Sequence, residues 1–137
     1  MLHAQNAWVE THPVTAIEGQ PNTGTMFVKP LLGGETMALI EVRLHAGVSS
    51  SLHAHGHESL LYVVSGRLKT VVNDETFVLG PGDVCRHPVG ATHRVEALED
   101  TVFVEVKSPP IDFHRIFDAS ATGVPSQGSP PEGRPPR

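Results

Sequence analysis

The sequence predicts an all-β fold, a sandwich or a barrel-like jelly roll, on three observations. About eight short segments with apolar patterning follow one another from near residue 25. Turn residues (Gly, Pro, Asn and Asp) separate them. No convincing helical period lies between them. The length of 137 residues suits one ordinary domain, and a hydrophobic fraction of 39 % suffices for a core.

The elements follow in order. Residues 1–23 have weak periodicity, broken by Pro13, Gly19 and Pro21, and read as a flexible N-terminal arm with at most one short strand near Trp8 and Val9. Residues 37–45 alternate, with Ala38, Ile40, Val42 and Leu44 on one face and Glu41, Arg43 and His45 on the other, as a half-buried strand does. Residues 59–65 are apolar on both faces, which predicts a strand covered on two sides. Gly66 ends it. A strand at 67–72 then turns through Asn73-Asp74 into another at 75–79. Gly80-Pro81-Gly82 makes the next turn, with Asp83 as a turn former. Strands at 83–87, 92–97 and 101–107 complete the set, the last with Val102, Val104 and Val106 on one face. A short helical turn fits 113–117. The predicted organisation is therefore an arm at 1–23, a β-barrel domain at 24–118 and a tail at 119–137. That tail is rich in Pro, Gly and Ser and too poor in apolar residues to offset its ordering entropy, so disorder is expected.

Composition excludes several classes of function. Net charge is −5, with no basic block, so no nucleic-acid surface is indicated. No apolar run approaches the roughly 20 residues that span a bilayer, so no membrane partner is expected. The first ten residues lack the basic start and apolar stretch of a signal peptide. Cys85 is the single cysteine, so no internal disulfide forms, and a cytoplasmic location is expected.

The unusual number is nine histidines. His53, His55, His57, His87 and His93 fall within a stretch of about forty residues. On a strand, residues i and i+2 share a face, so His53 and His55 aim two imidazoles into one space. Such a pair begins a site for Zn, Fe, Ni, Cu or Mn, and His93, opening a later strand behind Gly90, is the candidate third ligand.

A glycine and proline frame surrounds these histidines. Gly47, five residues, then His53-Ala54-His55 and a closing Gly66 resembles the first motif of the cupin superfamily. Gly82, five residues, Pro88-Val89-Gly90, two residues and His93 resembles the second. The chain is thus similar to small single-domain cupins. The resemblance implies a cupin-type jelly-roll barrel of two sheets, commonly a homodimer, holding a divalent transition metal (Fe, Zn, Mn, Ni or Cu) on His53, His55 and His93. Two positions depart from the family pattern. Ser59 stands where the first motif carries a metal-binding glutamate, and Ala97 stands where the second usually ends in asparagine. Glu58, adjacent to Ser59, faces away under strict alternation, and a bulge would turn it inward.

Other residues keep two readings each. His57 has the parity of His53 and His55, and is either a cavity acid/base or fourth ligand, or a polar rim residue. His87 is a cavity acid/base, or a histidine satisfied by a backbone carbonyl. Cys85 shares the parity of His87 and is a buried, inert thiol, or a ligand or nucleophile. Tyr62 is a packing residue with a polar tip, and Arg67 a solvated strand-end charge or a carboxylate anchor at a barrel mouth. His57, Glu58 and His87 are the candidate catalytic groups. The expected function is a metal-dependent cupin acting on a small oxygen-rich molecule by dioxygenase, isomerase or cyclase chemistry at a three-histidine centre. The alternative is a cupin that binds a small molecule or metal without turnover.

Overall fold

Alternation of apolar side chains along short strands builds two sheets that face each other across one core. The computed structural model describes residues 1–117; the tail expected at 119–137 lies outside them. The order is β1 (His12–Ile17), β2 (Gln20–Gly33), β3 (Ala38–Leu44), β4 (Glu58–Ser65), β5 (Leu68–Val72), β6 (Glu75–Leu79), β7 (Val84–His87), β8 (His93–Ala97), β9 (Thr101–Ser108) and α1 (Phe113–Phe117). One sheet has the order β1-β2-β3-β9-β4-β7 and the other β6-β5-β8. This is the jelly roll expected, antiparallel throughout.

Side-chain period two sets the core. Ile40, Val42 and Leu44 of β3, Leu61 and Val63 of β4, Leu68 of β5 and Phe103 of β9 are buried in it. The outer face of β4 differs from expectation. Leu60, Tyr62 and Val64 are 56 %, 48 % and 49 % exposed, so nothing among the described residues covers that face.

β1 and the start of β2 lie in the stretch 1–23 read as an arm. Prolines hid them from the sequence pattern. Pro13 sits in β1, an edge strand, where a missing N–H costs no ladder bond on the open side. Pro30 sits at the irregularity between Pro30 and Leu32 of β2, beyond the last β1 partner at Val28. The two strands are joined by Glu18 and Gly19, both at positive φ (50° and 77°), a tight two-residue hairpin. Trp8 and Val9 form no strand: a 3-10 turn at Asn6–Trp8 lies over the outer face instead, where Asn6 Nδ2 donates to Glu41 at 3.2 Å and Lys29 Nζ donates to Asn6 Oδ1 at 2.7 Å. The Asn73-Asp74 hairpin is present as expected. Gly66 has φ 92°, and a Cβ there would strike the Asp100 carbonyl and Thr101, so only glycine closes β4 onto β5.

Candidate metal centre

Register across the larger sheet places three inward side chains in one row: His87 of β7 beside Ser59 of β4, and Ser59 beside Lys107 of β9. The next row inward is Cys85, Leu61 and Glu105. The three candidate ligands enter from the other side. His93 opens β8. His53 and His55 lie on the irregular segment before β4, not on a strand as alternation suggests. That segment is fixed by a bridge in which His53 and His93 exchange both backbone hydrogen bonds, at 3.0 and 2.8 Å, and by Gly90 N–H donating to the His55 carbonyl at 3.0 Å. The Gly90 turn therefore holds both motifs together.

His53, His55 and His93 offer ring nitrogens that lie within 4.8 Å of one another, and all three are buried. In each ring Nδ1 faces an oxygen acceptor. His53 Nδ1 donates to the Ser51 carbonyl at 2.6 Å, His93 Nδ1 to the Ala91 carbonyl at 3.0 Å, and His55 Nδ1 to Glu18 Oε1 at 3.0 Å. An oxygen that only accepts requires the proton on Nδ1, which leaves the lone pair of each ring on Nε2. Metal-binding imidazoles are oriented in this way by their outer partners. The donor set therefore fits a divalent transition metal.

Burial keeps the rings neutral. Desolvation, followed by the His93 ring, pushes His53 down to about 4. Desolvation and the Lys107 charge push His55 down further still, and desolvation lowers His93. Neutral imidazole is the ligating form, so these shifts remove proton competition near neutrality.

His87 reaches this centre. It is buried, stacks on His93 with centroids 4.0 Å apart and planes at 16°, and its Nδ1 has no hydrogen-bond partner. Its Nε2 lies 3.7 Å from Cys85 Sγ. Burial pushes the Cys85 thiol up to about 12, so it is an inert thiol. His57 stacks on His55 at 4.3 Å, but its Nε2 accepts a hydrogen bond from Lys107 Nζ at 3.3 Å. Glu58 stays outside: its side chain is 46 % exposed and meets Arg86 at 3.4 Å. No bulge turns it inward, because β4 keeps regular register with β7 and β9 from Ser59 to Tyr62.

Three residues escaped sequence reasoning. Glu105 and Lys107 face the cavity from β9, and Glu18 arrives from the β1–β2 turn. The signal for the first two was present: if Val104 and Val106 share one face, Glu105 and Lys107 share the other with Phe103. The pattern alone does not say which face is inside, and the row of Phe103, Glu105 and Lys107 is buried. Glu105 and Lys107 pair at 2.9 Å. Burial would raise the Glu105 carboxyl, but the Lys107 charge beside it wins and holds it at about 2. Ile17, Met26, Ile40, Val42 and Val95 supply apolar wall, and Phe117 of α1 closes the cavity.

Comparison with known proteins agrees with this architecture. Residues 40–106 match the family model described as a cupin domain. The chain is 31 % identical over 78 residues to an oxalate decarboxylase of Bacillus subtilis (strain 168), covering 53 % of this chain and 20 % of that one. It is 29 % identical over 86 residues to a 1-hydroxy-2-naphthoate 1,2-dioxygenase of Nocardioides sp. (strain KP7), covering 61 % and 22 %. The matched region is thus about a fifth of the length of these curated relatives. Among solved structures, KdgF from Halomonas sp. superposes with a TM-score of 0.70 at 23 % identity, over 80 % of this chain and 96 % of that one. An RmlC-like cupin from Shewanella frigidimarina does so with 0.70 at 19 %, over 82 % and 94 %. The family match spans the first histidine segment and β8, and the solved structures share the fold over most of the described barrel: the chain belongs to the cupin superfamily.

Proposed function

We propose that the protein is a metal-dependent cupin enzyme that acts on a small oxygen-rich molecule, with a divalent transition metal (Fe, Zn, Mn, Ni or Cu) on His53, His55 and His93. The observation that carries this reading is the common orientation of the three rings, each with Nδ1 committed to an oxygen. A bound metal supplies Lewis acidity toward a keto, enol or carboxylate oxygen. His87 is the proton-handling group, because it lines the same cavity with Nδ1 unpartnered. His57 orients His55 by stacking and is held by Lys107. Glu58 takes no part in this reading. The oxalate decarboxylase and naphthoate dioxygenase relatives support decarboxylase or dioxygenase chemistry, with isomerisation or cyclisation as the other outcomes to screen. A binding protein without turnover is the second reading, favoured by Ser59 in place of the motif carboxylate. Metal analysis of protein purified without an affinity tag, then an oxygen-uptake and decarboxylation screen with the retained metal, tests both. One metal per chain with turnover supports the enzyme. One metal with no turnover on any carboxylate or keto-acid supports the binding protein. We also propose a cytoplasmic homodimer, paired through the open face of β4, β7 and β9.

A further inference from the structure

We propose that Lys107 is the specificity-determining residue of the cavity and selects a small organic carboxylate, whose charged oxygen it takes beside the three-histidine centre. This rests on the metal-dependent reading above.

Glu105 and Lys107 are the only charged side chains lining the cavity among the described residues, and they cancel. Glu18, which holds His55 from outside, is matched by Arg115 at 3.8 Å. Three neutral imidazoles add nothing. A divalent ion placed there keeps its full charge in a buried site, where an unbalanced charge is costly. The motif position that would bring a carboxylate is Ser59, so β4 offers no anion to offset it. An anionic ligand is the remaining source.

Lys107 is built to receive it. Its side chain is 2 % exposed, and its ammonium donates to Glu105 at 2.9 Å, to Ser59 Oγ at 3.0 Å and to His57 Nε2 at 3.3 Å. All three of its protons are used. The His57 contact is the longest and goes to a neutral acceptor. A carboxylate oxygen replaces it with a charge-assisted bond, roughly twice as strong as a neutral one. Phe117 lies 5.9 Å from the ammonium and closes this side with an apolar ring, so water competes poorly. A second, independent observation points to a ligand in the same space: His87 lines the cavity with a buried Nδ1 that has no partner. His87 and Lys107 stand in one row with Ser59 between them, so a carboxylate entering this row has the ammonium at one end and the unpartnered Nδ1 at the other.

The test uses the full chain loaded with zinc and two probes of equal size, glycolate and its neutral amide glycolamide, titrated by 1H–15N NMR. Zinc content is measured first in every variant. The expected result is that glycolate binds, glycolamide binds at least about tenfold more weakly, and Lys107→Met keeps its zinc but loses at least about tenfold in glycolate affinity, with recovery in Lys107→Arg. Lys107→Met leaves Glu105 buried without its partner and is a folding risk, so the double variant Glu105→Gln/Lys107→Met, neutral at both positions, is read alongside it and is expected to show the same loss. Zinc retained with glycolate affinity unchanged in either variant overturns the assignment of Lys107 alone. Glycolamide binding as well as glycolate also overturns it. A parent protein that retains no zinc overturns the metal-dependent reading, and this inference with it.

Discussion

The Nδ1 atoms of His53 and His93 donate to backbone carbonyls, whereas His55 depends on a side chain, Glu18. That difference makes Glu18 the one outer partner that mutation can remove cleanly. Glu18→Ala should cost about 10- to 100-fold in metal affinity, the usual effect of losing an outer hydrogen bond. Competition with a chelator measures it, and an unchanged affinity would show that His55 needs no such support. Glu58→Ala is the matched control. Among the described residues its carboxylate pairs with Arg86 at the surface, so metal affinity should stay within about twofold of the parent, as for an exposed pair of little energetic worth. Glu18 was not legible as a site residue. Nothing in its own neighbourhood marks it; only the β1–β2 hairpin turn brings it to a ring 37 positions away.

Strands β4, β7 and β9 show what alternation reveals and what it conceals. The double apolarity of β4 was readable, and its inner row is core as expected. Its outer row, Leu60, Tyr62 and Val64, continues into Val84 of β7, 65 % exposed, and into Val104 and Val106 of β9. A contiguous apolar patch of this kind marks an interaction surface. Two copies paired through it should give a dimer mass by light scattering at micromolar concentration, and Tyr62→Glu should give a monomer with the barrel still folded by circular dichroism. A monomer mass for the parent protein contradicts the pairing. In β9 alternation groups the three valines on one face and the two charges on the other, without saying which is buried. Periodicity says which residues share a face, but only the opposing strand says which face is inside. For β1 and β2 the obstacle was local: prolines at an edge and at an irregularity look like breakers until the pairing is known.

Among the described residues, the barrel interior holds five neutral histidines and one ion pair inside an apolar shell. The glycine and proline frame made the fold and the His53, His55 and His93 set readable, because those turns fix where the strands begin. The cavity charge was not readable, because it is assembled across β4, β7 and β9. The interior has a consequence for acid stability. His53, His57 and His87 titrate at about 4 in the folded chain, against 6.5 unperturbed, chiefly through desolvation. The unfolded chain therefore binds more protons between those values, and stability falls as pH falls. Their contribution is whole above about pH 6.5 and is lost as pH falls through about 4. Glu105, held at about 2 against 4.5 unperturbed, keeps its contribution whole above about pH 4.5 and loses it as pH falls through about 2. Thermal melts of the metal-free protein should show a falling melting temperature across pH 6.5 to 4; a flat profile there would mean that the rings are not desolvated in solution.

Metal stoichiometry by elemental analysis decides whether the three oriented imidazoles of His53, His55 and His93 hold a metal. The parent protein, purified without an affinity tag at one pH near neutrality, should carry close to one transition-metal ion per chain, and His53→Ala and His93→Ala should carry none, while His57→Ala and Glu58→Ala keep theirs. Full occupancy in His93→Ala, with loss in His57→Ala or Glu58→Ala, would contradict the ligand set.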